Sequence, residues 1–198
     1  MQLRRLPTGV VWALGALPLA LLVRDAFAGG LGVDPVRDIE HRLGRTAVYF
    51  LIASLCVTPL LRLGRVNLMK FRRPLGLLSA SYAGLHLLAW VVLDMGLRWE
   101  QALRDIARRP YLTIGMVVLV ILAALAATSS NAAIRRLGAR RWGVIHRLVY
   151  LAAPLALFHW LLAHKIWPAK PLLILGAVAI LLGLRLVWAR ARRRRIGI

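Results

Sequence analysis

Six long apolar runs, separated by polar and charged segments, set the pattern of this chain. They lie at about residues 10–28, 46–61, 75–93, 112–127, 142–164 and 171–188. Runs of roughly 16–22 residues with few charges are long enough for an α-helix to cross the ~30 Å hydrocarbon layer of a membrane. No internal repeat and no polar segment of domain size separates them. The pattern therefore predicts an all-α polytopic membrane protein, a six-transmembrane-helix bundle that forms a single domain over residues 1–198.

Composition supports the membrane class, and the distribution of charge predicts an orientation. Of the residues 60% are hydrophobic, whereas a soluble domain is nearer to half apolar. The net charge of +21 would suggest a nucleic-acid partner in a soluble protein. Here all seven acidic residues lie in or beside alternate inter-helix loops, and the other loops and both termini carry only Arg and Lys. This positive-inside pattern predicts that both termini are cytoplasmic, with the lipid membrane and no nucleic acid as partner.

The first apolar run also has features of a cleavable signal peptide. It begins after Arg4 and Arg5 and ends with the small-residue sequence A-F-A before Gly29. We expect it to be a retained helix.

Three histidines lie inside apolar runs, where a histidine is costly and indicates a functional site. His86 lies twelve residues after Pro74, and His159 lies thirteen residues after His146. At 1.5 Å per residue, His86 and His159 are therefore both roughly 18–20 Å from the predicted cytoplasmic ends of their helices. Two histidines at one depth on two helices suit the axial positions of a haem iron. The alternative is that both form interhelical hydrogen bonds.

His146 lies near the predicted inner end of the fifth run and is a candidate ligand of a second haem. At that level the third run offers Arg72 and Arg73, which suit haem propionates or another anionic cofactor better than they suit iron. The alternative for both arginines is an ordinary positive-inside loop charge. His146 and His159 differ by about 140° around an ideal helix, and a kink at Pro154 is needed to bring them closer in register.

The remaining candidates receive simpler interpretations. We expect His41 to lie exposed in an outer loop or at a partner contact, and His164 to be a wet interfacial residue. The single cysteine, Cys56, excludes an iron–sulfur cluster held by several cysteines of this chain and is expected to be a small core residue.

Several motifs together resemble a known family. They are G-G-L-G-V-D-P-V-R-D-I-E-H-R-L-G-R, R-R-P-L-G-L at 72–77, G-L-H-L at 84–87, R-R-P-Y-L-T-I-G at 108–115 and L-G-A-R-R-W-G-V-I-H-R-L-V-Y-L at 137–151. With them nearly the whole chain resembles the haem-binding membrane subunit of bacterial protein-methionine-sulfoxide reductase systems (the MsrQ family), within the ferric-reductase-like transmembrane superfamily.

This resemblance implies a b-type cytochrome of the bacterial inner membrane, with one or two haems b, and an electron-transfer subunit rather than a catalytic one. It implies electron donation by the quinone pool or by a cytoplasmic flavin reductase. The electrons pass to a periplasmic molybdenum-cofactor subunit that reduces methionine sulfoxide in envelope proteins. FMN is a further cofactor of the family, although the chain has no flavin motif. His86, His146 and His159 match its haem-associated histidines, whereas Arg72 stands where the wider superfamily has a fourth.

Two other functions are considered beside this relay. One is a self-contained transmembrane ferric reductase that uses the same haems. The other is a proton-coupled transporter in which His86, His146 and His159 form a relay. It is disfavoured because the runs show no inverted repeat and no carboxylate except at their ends, at Asp25 and Asp94. For the relay, the expected docking surface for the partner includes Asp34, His41, Glu100 and Asp105.

Overall fold

The computed structural model describes residues 7–196, with side chains to residue 191, and this range contains helices and no strands. The α-helices are α1 Gly9–Ala28, α2 Pro35–Leu63, α3 Arg72–Ala89, α4 Trp99–Arg108, α5 Pro110–Ala127, α6 Asn131–His146, α7 Val149–Leu162 and α8 Ala169–Ile196. A 3₁₀ turn at Met69–Phe71 precedes α3, and a π-helical segment at Trp90–Asp94 continues it. Six stretches are long and apolar enough to cross a membrane, with α6 and α7 together forming the fifth. The predicted six-helix, multi-pass membrane fold is thereby confirmed.

Two segments that were expected to be loops are helical. α2 begins at Pro35 rather than near residue 46, because the Asp34 side chain accepts a hydrogen bond from the Arg37 backbone N–H at 3.1 Å and Pro35 occupies the first turn. α6 begins at Asn131, where the Ser130 hydroxyl accepts from the Ala133 N–H at 3.0 Å. Both capping residues can be recognised in the sequence. The charged residues that follow them interrupt the apolar pattern, so the apolar runs alone did not predict these helix starts. A further amphipathic helix, α4, fills the expected outer loop at 99–108.

The fifth apolar run is not one continuous helix. α6 ends at His146, and a turn at Arg147 and Leu148 separates it from α7, which ends at Leu162 rather than at His164. Gly138, with a φ of 72°, introduces a second break within α6. The predicted span is present, since α6 and α7 together form the fifth span. The prediction that it is one continuous helix was wrong, and His146 and His159 belong to different helical segments.

Two apolar clusters hold the bundle together. One joins α2, α5, α7 and α8 around Leu51, Leu55, Leu122 and Leu157. The other joins α1, α2 and α3, and its main members are Leu22, Leu43, Leu78 and Tyr82. α1 is tied to α3 by the Tyr82 hydroxyl, which donates to the Gly15 carbonyl at 2.7 Å. With α1 fixed in this way, α2, α3, α5 and α7 enclose an interior space.

A half-buried cation links three of the helices. Arg185 of α8 donates to the Tyr150 hydroxyl of α7 at 2.8 Å and to the Leu55 carbonyl of α2 at 2.6 Å. The Leu55 carbonyl is available because its usual donor four residues on is Pro59, which has no N–H. Sequence reasoning did not single out this arginine, which lies inside the sixth span.

Candidate functional site

A cavity of ≈590 Å³ lies between α2, α3, α5 and α7. Its inner part is apolar, lined among others by Leu51, Val118 and Leu122, and its mouth is polar. The mouth opens at the end of the bundle that contains Asp34 and Asp94, which is the predicted outer end. A volume within ~300–1,000 Å³ and an apolar lining with a few polar groups are typical of a cofactor or small-molecule site.

His86 and His159 face each other across this cavity. His86 is on α3 and His159 is on α7, and both line the cavity wall. Their ring centroids are 6.2 Å apart, with the ring planes at 70°. The structure therefore brings together the two histidines that were expected to lie at one depth.

Backbone carbonyls from two other helices fix the tautomer of both histidines. His86 Nδ1 is 2.9 Å from the Glu40 carbonyl oxygen of α2. His159 Nδ1 is 2.7 Å from the Tyr111 carbonyl oxygen of α5. Since a carbonyl can only accept, Nδ1 carries the hydrogen in each neutral ring and Nε2 keeps its lone pair. A histidine that ligates a metal through one nitrogen commonly donates its other N–H in this way.

Two glycines make room for the histidine rings. A Cβ at Gly115 would lie 2.8 Å from His159 Cε1, and a Cβ at Gly44 would lie 3.3 Å from His86 Cε1. Gly115 is one helical turn below Tyr111, and Gly44 is one turn below Glu40. Each ring is thus held between a carbonyl and a glycine of the same neighbouring helix. Sequence reasoning missed these four positions, although the motifs E-H-R-L-G and Y-L-T-I-G contain them.

Charged residues concentrate at the cavity mouth. The cations that line it are Arg37, Arg45, Arg109 and Lys170, and the acids are Asp34, Glu40 and Asp94. A hydrogen bond to the Tyr111 hydroxyl raises the pKa of Arg109 above its ordinary value. Among the described residues, Glu40 Oε1 is buried without a hydrogen-bond partner.

His41 and His164 also line the mouth, with ring centroids 5.7 Å apart. His41 is half-buried on α2, so the expectation that it lies exposed in an outer loop was wrong. The loop interpretation failed because α2 starts six residues before His41. His164 is half-buried as well, and its Nδ1 is 3.0 Å from the Trp160 carbonyl oxygen.

The other predicted site residues lie away from this cavity. His146 Nε2 is 3.2 Å from the Thr128 hydroxyl, and its ring stacks on Trp142 at 4.1 Å between centroids. Arg73 donates to the Asn131 side-chain oxygen at 2.9 Å. Arg72 acts on His146 through its charge. His146, Arg72 and Arg73 are thus grouped near the opposite end of the bundle, apart from His86 and His159.

The donor set limits what the cavity can hold. In the described part of the chain no three residues among His, Cys, Asp and Glu are placed to share a metal ion. A protein-bound zinc ion needs three or four protein ligands. Two opposed imidazoles in an apolar cavity instead fit a metal whose other ligands come from a macrocycle.

Comparison with known proteins shows the family of this chain. The family model described as "Ferric reductase like transmembrane component" matches residues 43–157, which include His86 and His146. The protein-methionine-sulfoxide reductase heme-binding subunit MsrQ of Brucella anthropi is 44% identical over 186 residues, which are 94% of this chain and 84% of the relative. The subunit of the same name from Brucella ovis is 42% identical over the same shares of both chains.

Proposed function

Because this chain belongs to the family of protein-methionine-sulfoxide reductase heme-binding subunits, within the ferric-reductase-like transmembrane proteins, we propose that it binds haem b between His86 and His159. The observation that carries this proposal is the pair of histidine rings in one cavity, 6.2 Å apart between centroids, each with an Nδ1–H bond to a backbone carbonyl that leaves the lone pair on Nε2. The relatives are named for haem binding, and this site is the arrangement in the chain that suits it.

The separation of the two rings would allow both to hold one iron. Their centroids are 6.2 Å apart, and two metal–nitrogen bonds of ~2.0–2.1 Å to the Nε2 atoms would require a separation of this order. The cavity volume of ≈590 Å³ is in the range for a cofactor of this kind. Haem supplies one-electron chemistry when bound. The chain's residues orient the two ligands, exclude water with Leu51 and Leu122, and keep Nε2 deprotonated.

We propose further that the chain relays electrons across the bacterial inner membrane to a periplasmic molybdenum-cofactor reductase subunit, which repairs methionine sulfoxide in envelope proteins. The relatives' name, which describes the heme-binding subunit of a protein-methionine-sulfoxide reductase, supports this role. The opening of the cavity at the predicted outer end also supports it, since a cofactor near the outer face is close to an outer partner. Asp34, His41, Glu100 and Asp105 stay the predicted docking residues. The quinone pool or a cytoplasmic flavin reductase would be the donor.

A second cofactor at the inner end is a separate prediction. His146, Arg72 and Arg73 would serve a second haem or an FMN there. His146 bonds to Thr128 and stacks on Trp142, so a ligand role requires its side chain to leave those contacts.

A reduced-minus-oxidised absorbance spectrum of the purified protein, with haem quantified per polypeptide, tests the proposal. We expect the sharp bands of six-coordinate b-type haem in the wild type. His86→Ala and His159→Ala should each lose this haem while the protein still inserts into the membrane. Cys56→Ala, which changes no residue of the cavity lining, is the control and should retain it.

Unchanged haem content in both ligand variants would refute the assignment of the ligands. A protein that stays colourless after haem supplementation would refute haem binding and favour the histidine-lined transporter. Ferric reductase activity is distinguished by the acceptor: rapid oxidation of the reduced protein by a ferric chelate, and none by the periplasmic reductase, would favour it over the relay.

A further inference from the structure

Two cationic side chains lie between the main cavity and a neighbouring groove. Arg45 of α2 and Lys170 of α8 line the ≈590 Å³ cavity and also a groove of ≈310 Å³. The groove is closed on its other side by Pro18, Leu21 and Leu22 of α1. Both side chains therefore reach the side of the cavity that faces α1 and α8.

Each cation belongs to a segment that is linked to the histidine pair by its neighbours. Arg45 directly follows Gly44, which contacts the ring of His86. Its Nε donates to the His41 carbonyl at 3.1 Å, so the side chain extends one turn toward the mouth.

On the other helix, Lys170 Nζ lies 5.3 Å above the Tyr49 ring. Tyr49 packs edge-on against Trp160, at 6.4 Å between centroids, and Trp160 directly follows His159. The two cations thus line the cavity that contains His86 and His159, on the side of the groove beside α1.

Neither cation has a carboxylate partner within 4.0 Å among the residues that the structure describes, although five such ion pairs form elsewhere. Asp38 acts on Arg45 through its charge, but its oxygens are held by Arg42 at 2.9 and 3.1 Å. The other mouth cations differ. Arg109 pairs with Asp105 at 3.4 Å, and Arg37 acts electrostatically on Glu40.

We propose that Arg45 and Lys170 bind the two carboxylate arms of the haem, an inference that rests on the proposed haem function. A carboxylate taken into a largely apolar cavity is costly unless it is paired. A guanidinium and an ammonium offer charge-assisted hydrogen bonds for that purpose. Arg45 keeps four N–H donors after its bond to His41, and Lys170 holds its ammonium over an aromatic ring.

This assignment concerns a different site from the one that the sequence offered to Arg72 and Arg73. Those two arginines were predicted to bind the propionates of a second haem, or another anionic cofactor, at the inner end, and neither of them lines this cavity. Arg73 is bonded to Asn131 there.

The test titrates haem-free protein, produced in haem-deficient cells, with haem b and with haem dimethyl ester, whose arms carry no charge. For the wild type, esterification should raise Kd. For the Arg45→Gln, Lys170→Gln double variant, Kd for haem b should rise roughly 10-fold to 100-fold, while Kd for the ester stays at the wild-type value. Arg104→Gln, which changes an exposed cation of α4 that lines neither the cavity nor the groove, is the control and should bind both forms as the wild type does.

Equal loss of affinity for both forms in the double variant would overturn the proposal, because the cations would then act on the fold. So would unchanged affinity for haem b. If the protein loses affinity for haem b and for the ester only in nanodiscs that lack anionic lipid, Arg45 and Lys170 bind a lipid phosphate instead of the haem. Failure of the proposed haem site is detected separately, because His86→Ala would then bind haem b with the wild-type Kd. The comparison of haem b with haem dimethyl ester in the wild-type protein tests the role of the carboxylate arms even if the variants do not fold.

Discussion

At the scale of single residues, the chemistry of His86 and His159 depends on atoms that neither histidine carries. The Glu40 and Tyr111 carbonyls select the tautomer. Gly44 and Gly115 let the rings approach α2 and α5. Each histidine is thus oriented by one backbone carbonyl and by one glycine that leaves space for its ring. Substitution of the glycine by alanine tests the second of these contributions.

The most direct residue-scale prediction concerns Gly115→Ala. The new Cβ would lie 2.8 Å from His159 Cε1, so the ring must shift from its position. Loss of ligand orientation of this kind typically lowers affinity by ~10-fold to 100-fold. We therefore expect reduced haem per polypeptide and altered low-spin electron paramagnetic resonance signals. Gly44→Ala, at 3.3 Å from His86, should have a smaller effect.

Gly84→Ala is the control for both changes. Gly84 is on the same helix as His86, and a Cβ there meets nothing within 4 Å. Since alanine has the higher helix propensity, by about 1 kcal/mol, this variant should keep its haem and be no less stable. Equal haem content in the Gly115→Ala and Gly84→Ala proteins would contradict the role given to Gly115.

At the scale of helices, Arg185 compensates for a proline in another element. Pro59 leaves the Leu55 carbonyl of α2 without its intrahelical donor, and the guanidinium of α8 supplies one at 2.6 Å. A second bond to the Tyr150 hydroxyl extends the link to α7. A charged side chain within a membrane-spanning helix is expected to face the bundle and to have partners there, as this one does.

Arg185→Met should lower the free energy of unfolding by about 1–3 kcal/mol, since it leaves the buried Leu55 carbonyl unpaired. In a Pro59→Ala background the same change should cost less, because the alanine introduced there provides a backbone N–H to that carbonyl. Denaturation of the detergent-solubilised protein, followed by circular dichroism, measures both costs. Equal costs in the two backgrounds would show that Arg185 does not act through the proline site.

At the scale of the whole molecule, the arrangement in the membrane follows from charge and from the number of spans. Six crossings place both ends of the chain on the same side. The loops rich in arginine and lysine predict that this side is the cytoplasm. The cavity mouth, with Asp34 and Asp94, would then face outward.

Cysteine labelling in intact cells tests this orientation. In a Cys56→Ala background, Val33→Cys should react with a membrane-impermeant maleimide, because Val33 is fully exposed in the predicted outer loop between α1 and α2. Ala132→Cys, exposed in the first turn of α6, should react only after the cells are opened. Reversed labelling of the two positions would place the cavity mouth on the cytoplasmic side.

The sequence by itself determined the class of protein, the number of spans and the histidine pair. Each helix needs an apolar run of sufficient length to cross a membrane. That length is a local property, so it can be read from each run of the sequence separately. The matched depth of His86 and His159 follows from helical rise alone. The helix starts at Pro35 and Asn131 were less accessible, because polar residues hid the caps, and the break after His146 was not foreseen.

Only the tertiary structure decided which groups complete the site. The carbonyls of Glu40 and Tyr111, the contacts of Gly44 and Gly115, and the convergence of Arg45 and Lys170 join residues that are far apart in the chain. The same holds for Arg185, whose partner carbonyl lies 130 positions away. Such contacts depend on how whole helices rotate and approach one another. That rotation is set by packing in the two apolar clusters, and no local pattern of residue types records it.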